Sequence, residues 1–66
     1  MPERDPRKDP RQRDVVGRRQ VLAVECERGT GTVYVSWAVH SGDWGACRMA
    51  SWRKWAKGKE VIYAAD

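Results

Sequence analysis

Between Arg48 and Lys59 the chain carries Arg48, Arg53, Lys54, Lys57 and Lys59 with no acid among them, and the same stretch holds Trp52 and Trp55. Cations interleaved with indole rings can follow a phosphate backbone and stack its bases, so this segment is the first candidate for a surface that binds DNA or RNA. Arg18 and Arg19 form a second basic pair. If the fold brings that corner to the segment, Arg18, Arg19, Arg48, Arg53, Lys54 and Lys57 become the phosphate contacts. Trp55 is then the ring on which a base stacks, at ~1–3 kcal/mol per stacked base. The plainer alternative is an amphipathic helix with Met49, Trp52 and Ala56 inward and its cations solvated.

Trp52 and Trp55 are three residues apart and so share a helix face. Both rings cannot be fully buried under so short a helix, which leaves one as a surface anchor for a protein partner or a second copy. Trp44, after Gly42-Asp43, is a further aromatic of this kind and could line a groove for extended Pro-rich peptides. Trp44, Trp52 and Trp55 therefore define a rival class, a protein-interaction module.

Metal and catalytic chemistry find little to build with. His40, Cys26, Cys47 and Asp43 are the available ligand types, but no Cys-x-x-Cys or His-x₃₋₅-His pair is present, so no metal is expected. The Gly29-Thr30-Gly31 turn lacks the Lys-Ser/Thr that would make it a phosphate loop. One histidine, no nucleophile elbow and little volume for a cleft point away from an enzyme and from any cofactor.

The chain of 66 residues has 13 Lys+Arg against 9 Asp+Glu, a formal net charge of +4, and room for one small domain. Its longest apolar run, Val21 to Val24, falls far short of the ~20 residues that span a bilayer, so no membrane partner is expected. No apolar stretch follows Met1-Pro2-Glu3-Arg4-Asp5, which makes the cytoplasm the expected compartment. In that compartment Cys26 and Cys47 are expected as buried thiols rather than a disulfide. Because ordering roughly 50 residues costs on the order of 75 kcal/mol, a small homo-oligomer is as natural an expectation as a monomer.

These residues must be placed by the following elements. Residues 1–13 repeat Pro-Glu-Arg-Asp, Pro-Arg-Lys-Asp and Pro-Arg-Gln-Arg, a proline spacing that no helix tolerates, and read as a flexible charged arm whose five cations are nearly cancelled by four acids once Asp14 is counted. The domain proper is residues 14–66. Val15-Val16 starts a strand, and Arg19 to Glu27 alternates with Leu22, Val24 and Cys26 on one face. Arg28-Gly29-Thr30-Gly31 turns the chain into Thr32 to His40, where Val33, Val35, Trp37 and Val39 alternate with polar or small residues. Ser41-Gly42-Asp43 leads to a short strand over Trp44 to Arg48. Ser51 is placed to cap a helix of about two turns that ends at Gly58, and Lys59 to Tyr63 is a last strand. The expected fold class is all-β: a small SH3-like five-stranded barrel with one short helix between the fourth and fifth strands. An open sheet with a helix on one face is the second arrangement this order allows. The expected core is Val16, Leu22, Val24, Val33, Val35, Trp37, Cys47, Trp52, Val61 and Tyr63.

Asp5-Pro6-Arg7 or Asp9-Pro10-Arg11, Asp14-Val15-Val16, Cys47 and Trp52-Arg53-Lys54-Trp55-Ala56 together resemble short uncharacterised proteins of phages and prophages. Those proteins have an Asp-Pro-Arg opening, a Gly-Asp-Val-Val-like first strand and a Trp-Arg-x-Trp-Ala segment. The likeness spans most of the chain on short motifs, and Arg13 stands where that pattern has glycine. It implies an accessory protein of a mobile element with a compact β fold and no transferable catalytic residues; engagement of a host protein belongs to the interaction-module reading of the Trp52/Trp55 face.

Overall fold

The computed structural model describes residues 4–65; Met1 to Glu3 of the expected arm, and Asp66 at the end of the expected domain, lie outside the described residues. Strand β1 (Val15–Val16) turns through Gly17-Arg18 into β2 (Arg19–Cys26), followed by β3 (Val33–Val39), β4 (Trp44–Arg48), helix α1 (Met49–Ala56) and β5 (Val61–Tyr63). All pairings are antiparallel, in the order β4-β3-β2-β1-β5. The sheet is not closed: β4 and β5 are its two ends.

The turn from β1 to β2 has two residues, and Gly17 takes φ 57° at its first position, where a side chain would be strained. Helix α1 begins directly at the end of β4. Arg48 is extended (φ −68°, ψ 155°) and makes no side-chain cap, and Ser51, expected as the cap, lies inside the helix. Met49, Trp52 and Ala56 fall on one side of α1 at helical spacing. Trp52 and Ala56 are fully buried against Val16, Val21 and Val35, and Met49, Trp37, Cys47, Trp55 and Val61 pack around them. The helix thus covers one face of the sheet.

Four expected core residues are not in it: Val33 is half-buried but lies outside the cluster, and the other three are exposed. Leu22, Val24 and Tyr63 are exposed, and Val21 is buried instead. The cause is a β-bulge in β2: Val21 pairs with Trp37 and Ala23 with Ser36, so Leu22 has no partner and the facing pattern slips by one residue. Val24 does share a face with Val35, its pairing partner, but lies near the end of β2 and is exposed. Tyr63 pairs with Val15 rather than with buried Val16. Both cysteines are free thiols; Cys47 is half-buried, and Cys26, expected buried, is exposed.

Residues 4–13 also differ from the flexible arm expected of them. A turn at Asp5 to Asp9 is closed by the Lys8 and Asp9 N–H groups donating to Asp5 O at 2.9 and 2.7 Å. Pro6 and Pro10 are buried. The Trp52 indole N–H donates to Pro6 O (3.1 Å), and Arg53 Nε donates to Lys8 O (2.8 Å). Proline excludes a helix here but not docking: its carbonyl remains an acceptor and its ring an apolar surface. Arg13 holds φ 80°, a left-handed backbone that costs a non-glycine residue roughly 1–2 kcal/mol, and its N–H donates to Val21 O at 2.9 Å.

The segment is tied down by Asp14, whose side chain is fully buried. Arg4 donates to both carboxylate oxygens, at 2.8 Å from Nη2 to Oδ1 and in a shorter contact from Nη1 to Oδ2. The backbone N–H groups of Ala65 and Arg11 add one bond each, both 2.7 Å. Arg4 also donates to Ala65 O, so one carboxylate joins the N-terminal segment, β1 and the chain end. Burial pushes the Asp14 pKa up, but the Arg4 pair and the two backbone donors outweigh it and hold the carboxyl below its ordinary value.

Candidate nucleic-acid interface

Arg19 opens β2 on the face that carries α1, opposite Val39 and diagonal to Trp37 on β3. Its guanidinium is held between two indoles: Cζ lies 3.8 Å from the ring centroid of Trp37 and 3.9 Å from that of Trp55. Each contact contributes roughly 0.5–2 kcal/mol by attraction to the ring face. Rings that cover a guanidinium leave its in-plane N–H groups uncovered. Among the described residues the Arg19 guanidinium has no hydrogen bond or ion pair, so those donors remain available. Burial lowers the Arg19 pKa from its ordinary value but leaves the guanidinium a cation at neutral pH.

The clamp is built by close approaches on both sides. Trp37 lies over Gly45 of β4, where a Cβ would stand 2.7 Å from the ring, and its own buried indole N–H has no acceptor among the described residues. Trp55 is fixed by Trp52, tilted against it at 5.1 Å, and by Gly17, where a Cβ would come within 3.5 Å of the ring. Gly45→Ala should therefore force Trp37 aside, destabilise the domain by about 1–3 kcal/mol in urea melts, and loosen the Arg19 clamp.

Arg19 opens onto a groove of about 590 Å³ lined with Gly17, Arg18, Val39, Trp55 and Lys59. Lys59 Nζ stands 5.5 Å from the Trp55 ring, and no acid lines this groove. The Gly17 N–H donates to Glu60 O at 2.8 Å, which holds the Arg18 turn against the segment that carries Lys59. A second groove, of about 640 Å³, is lined by Asp5, Arg7, Lys8, Arg53, Lys57 and Gly58. Asp5 is ion-paired to Arg7 there at 3.0 Å. Lys57 and Gly58 of this groove stand next in sequence to Lys59 of the first, and Arg7 Nη1 donates to Lys59 O at 3.3 Å.

The sequence-derived site is thereby divided. Arg18, Arg19 and Trp55 come together, whereas Arg53 and Lys57 line the second groove beside the N-terminal segment. Lys54 is exposed on α1, and Arg48 pairs with Tyr34 on the face of the sheet opposite the helix. Trp55 is not the open stacking platform expected of it, because Arg19 occupies its ring. Trp52, expected as an interaction anchor, is fully buried, while Trp44 is 76 % exposed. Sequence reasoning omitted Lys59 and Trp37 from the site, as well as Arg7 and Lys8. Trp37 had a readable signal, since strict alternation along β3 put it on the inward face; its arginine partner depended on the β2 bulge.

No known protein family, curated protein or solved structure matches this chain. Among the described residues no helix is long and apolar enough to cross a membrane, and no group of three or more His, Cys, Asp or Glu side chains could hold a metal ion.

Proposed function

We propose that this protein is a non-enzymatic accessory protein of a phage or mobile element that binds nucleic acid through its phosphates. The observation that carries this reading is Arg19, fixed between Trp37 and Trp55 with its donors unengaged, in a groove shared with Arg18 and Lys59. A guanidinium immobilised before binding loses little side-chain entropy when a phosphate arrives, and its fork suits two phosphate oxygens. Arg7, Lys8, Arg53 and Lys57 extend the positive surface into the adjoining groove. With Trp55 engaged by Arg19, the contact is to the backbone and sequence-tolerant, and its affinity comes from counterion release. The left-handed backbone at Arg13, where the resembling phage proteins carry glycine, supports that likeness. The strand order and the helix before β5 support an SH3-like relationship, with the barrel left unclosed by its ladders.

The test is fluorescence anisotropy with single- and double-stranded DNA and RNA oligonucleotides over a salt series. Wild-type protein should bind with an affinity that falls steeply with salt. Arg19→Gln should weaken binding about tenfold and reduce the log–log salt slope by roughly one phosphate, with Lys59→Gln acting in the same direction. Absence of binding to all four probes at low salt would overturn the reading.

A further inference from the structure

Among the described residues no helix or further strand packs on the face of the sheet away from α1, and pairing register determines what it displays. One row across all five strands reads Trp44, Ala38, Gln20, Val15, Tyr63; the next includes Ala46, Ser36 and Ala23; the last reads Arg48, Tyr34, Glu25. Its centre is small and uncharged, and Trp44 and Tyr63 at its margins are 76 % and 56 % exposed. Glu25 and Arg48 are the charged members of these rows. They flank Tyr34 on either side, two strand spacings (roughly 10 Å) apart, and neither forms an ion pair among the described residues.

We propose that this face binds a second copy of the chain across a two-fold axis running along β3. Rotation about that axis lays β2 of one copy on β4 of the other. Glu25 then meets Arg48 of the second copy twice, Ala23 meets Ala46, and Tyr34, Ser36 and Ala38 each meet themselves. Trp44 falls over Gln20 beside the small Ala38. Charge selects this register: an axis along β2 would overlap more strands but would set Glu25 against its own copy, at a cost. Three overlapping strands cover on the order of 350 Å² per copy, so the dimer is a weak one with a dissociation constant on the order of 100 µM. The Arg19 groove opens on the helix side and stays accessible in it, so this inference stands independently of nucleic-acid binding.

Sedimentation velocity from 10 µM to 1 mM reads the assembly directly. Wild-type chain should shift from monomer to dimer over that range. Arg48→Glu and Glu25→Arg each set like charges across the axis and should weaken dimerisation at least tenfold, whereas the double exchange should return it to within about threefold of wild type. Ala38→Lys, which puts a charge against itself on the axis, should leave a monomer with unchanged circular dichroism. Arg19→Gln should dimerise as wild type does. A wild-type monomer throughout the range would overturn the proposal. So would a dimer indifferent to the single reversals, or a double exchange no better than either single one.

Discussion

A chain beginning at Gln12 should lose its cooperative fold, even though residues 4–11 carry no strand. Their removal deletes Arg4 and the Arg11 N–H, leaving the fully buried Asp14 carboxylate with only the Ala65 N–H among the donors seen here. Taking away one partner of a buried ion pair costs about 3–5 kcal/mol. The same cut removes Pro6, a buried residue whose carbonyl accepts from the Trp52 indole. A buried donor left without its acceptor costs roughly 1–3 kcal/mol more, at the lower end where water enters in its place. Together these are of the order of the whole stability of a domain this size, about 3–10 kcal/mol at 0.05–0.15 kcal/mol per residue. Far-UV circular dichroism with a urea titration reads the result. A truncated chain that unfolds at the wild-type urea midpoint would show that residues 4–11 lie on the domain without stabilising it.

That expectation reverses what the sequence suggests, and the reason is physical. Alternation in β3, the glycine turns and the Trp52–Ala56 spacing are local signals, so the element order, the short helix and the inward placing of Val35 and Trp52 were legible. Contacts that depend on two distant segments were not. Nothing in the near-neutral run of residues 1–13 marks Pro6 O as the acceptor for an indole forty-six residues away, or Arg4 as the partner of Asp14. An unpaired residue in a strand leaves no periodic trace either: the bulge at Leu22 turned Arg19 and Val21 toward the helix, while simple alternation sent them outward. The candidate site was legible in the same proportion. Its cations were visible as charge, but the two rings holding Arg19 come from β3 and α1, and only register and helix placement bring them together. The basic segment was seen as one patch; the sheet and the helix divide it between two grooves and the opposite face.

Asp14→Asn should cost about 3 kcal/mol at neutral pH and should also change how stability depends on pH. Asparagine keeps the size of the side chain but replaces one oxygen with an amide that donates, and Arg4 and two backbone N–H groups donate into this position. At least one of them loses its acceptor, and Arg4, largely shielded from water, loses its counter-charge. In wild type the folded-state pKa of Asp14 lies below the unfolded value of about 3.9. The unfolded chain therefore binds the proton more readily, and stability rises with pH through that window. The Asp14 contribution is complete above about pH 4 and is lost as the pH falls through the lowered folded-state value. Urea midpoints between pH 2 and 7 should accordingly drop in wild type below about pH 4. Asp5, also held low by its hydrogen bonds from Arg7, is a solvent-accessible carboxylate and adds a smaller share of that drop. In Asp14→Asn the midpoint should start lower at neutral pH and fall less on acidification, so that the two curves converge toward pH 2. Parallel curves would mean that the Asp14 carboxylate is no more stabilised by folding than a solvated one, and that something other than this ion pair joins the N-terminal segment to the sheet.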